Sequence, residues 1–85
     1  MTDQRLEELR QRWEADPGSR VFLQLAEEYR RLGRKDEAIH VLEQGLERSP
    51  NHLSAKVALG RCRLEKQEYG SAAGIFEEVL ERDPT

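Results

Sequence analysis

Eighty-five residues with a net charge of −3 and interspersed acidic and basic side chains allow one small domain, and lack the clustered basic face that nucleic acid requires. Charged and apolar residues each make up 36%, which clears the low-hydrophobicity regime of disorder and supports a thin core. The lone Cys62 has no second Cys for a disulfide or a zinc motif, no run approaches the apolar length of a membrane span, and Met1 to Arg12 holds no apolar leader core. These features read as a cytoplasmic chain without a membrane partner.

The elements follow in chain order. Thr2 or Asp3 can cap a first helix that runs to about Ala15. Its Leu6, Leu9 and Trp13 stand at i, i+3 and i+7 and form one narrow apolar stripe. Asp16-Pro17-Gly18 breaks the chain. Ser19 caps a second helix to about Leu32, with Leu25, Ala26 and Tyr29 on one face, and Gly33 ends it because glycine takes the left-handed conformation freely. A third helix follows to about Arg48, with Asp36 and Glu37 at its positive end and Ala38, Leu42 and Leu46 along one face. Ser49-Pro50-Asn51 turns the chain. The fourth helix covers Leu53 to Lys66, and the fifth begins near Ser71 and ends near Arg82, with Gly70 and Gly74 weakening it.

The second and third helices have an echo. Thirty-four residues on, Leu25 becomes Leu59, Ala26 becomes Gly60, Ala38 becomes Ala72, Leu42 becomes Phe76, Leu46 becomes Leu80 and Pro50 becomes Pro84. Small residues recur as small and large ones as large. Leu6, Leu9, Trp13 and Pro17 repeat the third helix more loosely, with Pro17 one residue out of step.

Phe22, Leu25, Ala26, Tyr29, Gly33, Ala38, Leu42 and Pro50, followed by Leu59, Gly60, Tyr69, Ala72, Phe76 and Pro84, resemble the tetratricopeptide repeat. The resemblance implies an all-α protein: antiparallel helix hairpins stacked as a short right-handed α-solenoid of five helices. Residues 1–18 would be a capping half-repeat, 19–52 the first repeat and 53–85 the second. There are departures. Gly45 stands where the family usually has Ala, Lys56 and Arg63 replace aromatics, and Gln67 replaces the Gly between helices. They suggest looser packing in the second repeat.

The residues do not assemble a catalytic set. His40 and His52 are far apart in the pattern, no His is placed to activate Cys62, and no Gly-rich loop cradles phosphate, so no enzyme, cofactor or metal is expected. The resemblance implies that the first helix of each repeat lines a concave surface. Beside the packing residues these helices carry a second stripe. It is Arg20, Leu23, Glu27, Arg30 and Arg31 on one, and Ser54, Val57, Arg61, Leu64 and Glu65 on the other. Apolar Leu23, Val57 and Leu64 rimmed by arginines suit a peptide with apolar anchors and acidic groups. The Lys and Asn that let one subgroup clamp C-terminal carboxylates are missing where Leu23 and Glu27 stand.

The reading is therefore a non-catalytic scaffold that binds a protein or peptide partner along its concave face. Two alternatives compete with it. One is self-association through the fifth helix, whose Ala73, Phe76, Val79 and Leu80 form an apolar set that its own hairpin does not exhaust. The other is a regulatory N-terminal segment of a longer protein.

Overall fold

The computed structural model describes residues 4–16 and 20–82. It contains α1 (Gln4–Ala15), α2 (Val21–Arg31), α3 (Lys35–Arg48), α4 (Leu53–Glu65) and α5 (Tyr69–Arg82), with no strand among the described residues. The proposed caps Thr2, Asp3 and Ser19, the breaker Pro17-Gly18 and Pro84 lie outside the described residues. Arg20 holds the position before α2 and makes no side-chain cap there. The fifth helix starts two residues earlier than the sequence suggests, because Glu68 already accepts from the Ala72 amide.

The two sharp turns are built alike. Gly33 has φ +80° and Gln67 has φ +64°. At the first, the Gly33 and Arg34 amides donate to Arg30 and Tyr29 at 3.0 and 2.8 Å; at the second, the Gln67 and Glu68 amides donate to Leu64 and Arg63 at 2.9 and 2.8 Å. This is the Schellman closure of a helix C-terminus. Gln67 therefore occupies a glycine position at a conformational cost of about 1–2 kcal/mol.

Short turns fold α2 on α3 and α4 on α5, while α3 packs on α4 and α1 on α2. Helices α2 and α4 also meet, whereas α3 and α5 stay apart. The inner side of the stack thus belongs to α2 and α4. Burial explains the order. Leu25, Ala38, Leu42 and Ala55 are fully enclosed, and Leu6 and Leu9 of α1 join the same core, so α1 covers the first hairpin.

The departures have uses. Lys56 is buried along its stem, and its ammonium reaches Glu78 of α5 at 2.6 Å. Arg63 ties α4 to Glu43 of α3 at 2.9 Å and to Glu68 at 3.0 Å. Polar replacements here act as inter-helix ties. The fifth helix is nonetheless the least enclosed: Ala72 is its one buried side chain among the described residues, and Leu80 is 62% exposed.

Candidate protein-binding groove

The floor of an open groove is one face of α4: Ser54, Val57, Ala58 and Arg61, at successive turns, with Leu53 at the helix start. Leu23 and Glu27 of α2 form one wall and Val79 of α5 the other, enclosing about 410 Å3. A helix begins at Leu53 because His52 caps it: the imidazole Nδ1 accepts from the Ala55 amide at 3.2 Å. The same ring meets Phe22 edge-on, centroids 5.5 Å apart, which locks the inter-hairpin turn onto the core. The sequence gives no hint of this role, since His is not a usual cap.

The candidate stripe divides once its partners are known. Leu23, Glu27, Ser54, Val57 and Arg61 come together in the groove. Arg30 lies between Glu27 and Glu65, 3.4 Å from each, so these three charges bind α2 to α4. Arg31 does not join them. Its guanidinium pairs with Glu28, a buried carboxylate that also faces Arg5 of α1 at 3.6 Å, so Arg31 belongs to the α1–α2 side. Arg20 and Leu64 are exposed but do not line the groove. Of the fifth-helix set, Ala73 and Leu80 meet solvent, whereas Phe76 is half-buried against Gly60 and Val79 turns into the groove. Leu53, Ala58 and Val79 are the groove residues that sequence reasoning missed as such. Their apolar character was visible, but their side of the helix depends on the angle between hairpins.

Electrostatics around the groove leave little loose charge on α2. Arg30 is held above its ordinary pKa: burial lowers it, and Glu27 and Glu65 more than reverse that. Cys62 is 1% exposed, and burial, aided by Glu65, pushes its thiol up, the opposite of an activated nucleophile. Trp13 packs against the core and meets the exposed His40 edge-on, centroids 6.4 Å apart, so its ring serves the α1–α3 side. Among the described residues no helix is long and apolar enough to cross a membrane.

Hairpins stacked through neighbours with an open inner face define a helical-repeat solenoid. The tetratricopeptide repeat family model matches residues 23–85, and the chain belongs to that family. Such repeats generally mediate protein–protein interaction and are typically non-catalytic. The chain is also similar to "ALBINO3-like protein 3, mitochondrial" of Arabidopsis thaliana, with 32% identity over 65 residues. That match covers 72% of this chain and 12% of the relative, so the chain spans a small part of that protein's length.

Proposed function

We propose that this chain is a non-catalytic interaction module whose groove between α2, α4 and α5 receives a segment of a partner protein. The observation that carries the proposal is the groove itself: Leu23, Val57, Ala58 and Val79 present apolar surface in a concave site, with Arg61 at its edge. Concave apolar sites with a few placed polar groups are where binding free energy concentrates. The test uses peptides selected from a random displayed pool on the intact chain. Val57→Asp should abolish their binding while circular dichroism and melting stay near wild type, and Arg31→Glu should leave binding intact. Equal effects at both positions would move the site away from the groove.

A second reading, self-association through α5, is favoured by Ala73 and Leu80, which are exposed on the outer side of that helix. Leu80→Asp should then shift sedimentation toward monomer, and a wild-type chain that stays monomeric at all concentrations would end this reading.

A further inference from the structure

We infer that the segment received by the groove carries a bulky apolar side chain, seated against Val79, within a few residues of a carboxylate that pairs with Arg61; the inference rests on the groove reading above.

The first half comes from comparing the two hairpins at one level. In the first, the ring of Phe22 lies directly over Gly45, so close that a Cβ on Gly45 would overlap it. Thirty-four residues on, the corresponding pair is Lys56 and Val79. Lys56 carries no ring and sends its ammonium to Glu78. Val79 is left half-buried, lining the groove beside Leu53 and Ala58. The first hairpin thus fills this level with its own aromatic side chain. In the second, the buried Lys56 stem stands where the ring was, and Val79 turns to the open groove as an apolar wall that a ligand's side chain can cover; removing that wall from water favours a large apolar group.

The second half comes from charge. Glu27, the groove's carboxylate, is shared with Arg30, which Glu65 also holds. Arg61 is exposed, lines the groove and has no carboxylate within ion-pair distance among the described residues. A guanidinium in that state selects a carboxylate, which it can grip through two parallel N–H donors, and disfavours an ammonium. Charge complementarity therefore picks an acidic segment over a basic or purely apolar one.

The probe is a pool of random twelve-residue displayed peptides, selected on the intact chain and on Arg61→Glu. On wild type, the enriched peptides should pair Phe, Trp, Leu or Ile with Asp or Glu within about four positions. Their affinity should fall at least tenfold on Arg61→Glu, and the peptides selected on that variant should carry Lys or Arg instead. Raising ionic strength should weaken the acidic peptides first. Enriched peptides with apolar anchors but no acidic preference, or with affinity indifferent to Arg61→Glu, would overturn the inference while the groove reading stands, provided Val57→Asp still abolishes binding. Binders indifferent to Val57→Asp, or no enrichment, would overturn both. So would a groove filled only by a second copy of the chain, seen as self-association that Arg61→Glu does not alter.

Discussion

In the first hairpin the large ring sits on the inner helix and the gap on the outer one, Phe22 over Gly45; in the second this is reversed, with Gly60 of α4 under Phe76 of α5. The two contacts are not at the same level. One repeat length before Gly60 and Phe76 stand Ala26 and Leu42, both buried, so at that level the second hairpin has traded a smaller inner residue for a larger outer one. At the other level, Phe22 and Gly45 give way to Lys56 and Val79, and the ring is lost. At the level of Gly60 and Phe76 the summed volume between the two helices is kept although the residues are exchanged. At the level of Lys56 and Val79 it is not kept: the pair is larger than Phe22 and Gly45, the Lys56 stem stays buried, and Val79 lines the groove.

The largest test of that view is Gly45→Ala. The added methyl meets the Phe22 ring between the buried faces of α2 and α3, so the domain should lose about 1–3 kcal/mol and melt several degrees lower. Gly60→Ala meets the far end of the Phe76 ring at 2.8 Å. Phe76 is only half-buried and can swing aside, so the loss should be clearly smaller. Equal losses would break the comparison.

The turns sharpen it at intermediate size. Gly33 and Gln67 share a backbone conformation that only one of them adopts without strain. Gln67→Gly should raise the free energy of unfolding by about 1 kcal/mol, read from denaturant titration, and Gly33→Ala should lower it by a similar amount. A Gln67→Gly variant no more stable than wild type would show that Gln67 makes up its strain elsewhere.

The smallest effect is in alkali. Burial raises the Cys62 thiol, and burial together with Glu37 raises the Tyr29 phenol, each above its ordinary value. Groups raised by folding add stability that is complete below their unfolded values, about 9 and 10, and is lost as pH climbs through the folded ones. Denaturant midpoints should therefore decline above about pH 9. Cys62→Ala should flatten the lower part of that decline, and a wild-type curve level to pH 11 would refute it.

The helices and their order were legible in the sequence because each is closed by local chemistry: Gly33 by its freedom at positive φ, and Ala38 and Ala72 by the room that two backbones need. Even Gln67 was legible by its distance from Gly33. The groove was only half legible. Helical spacing put Leu23, Val57 and Arg61 on the faces that line the groove, since one face of one helix is a local fact. It could not say that Arg31 would turn to Glu28, that Arg30 would be absorbed by Glu65, or that Val79 would supply a wall. Each of those depends on which of several charged or apolar neighbours on another helix comes nearest, and spacing along one helix does not contain that.

The shallow anchoring of α5 has a consequence in time. A helix opens locally at a free energy set by what it buries, and α5 has one buried side chain among the described residues where α2 has six. Excursions of α5 away from α4 should therefore cost less than those of α2, and they would carry Val79 with them. The groove's far wall is then the one expected to open ahead of its floor and near wall. On the proposed reading, a segment seated on Val79 would slow that opening, and the rate at which it leaves would be tied to the rate at which α5 lifts.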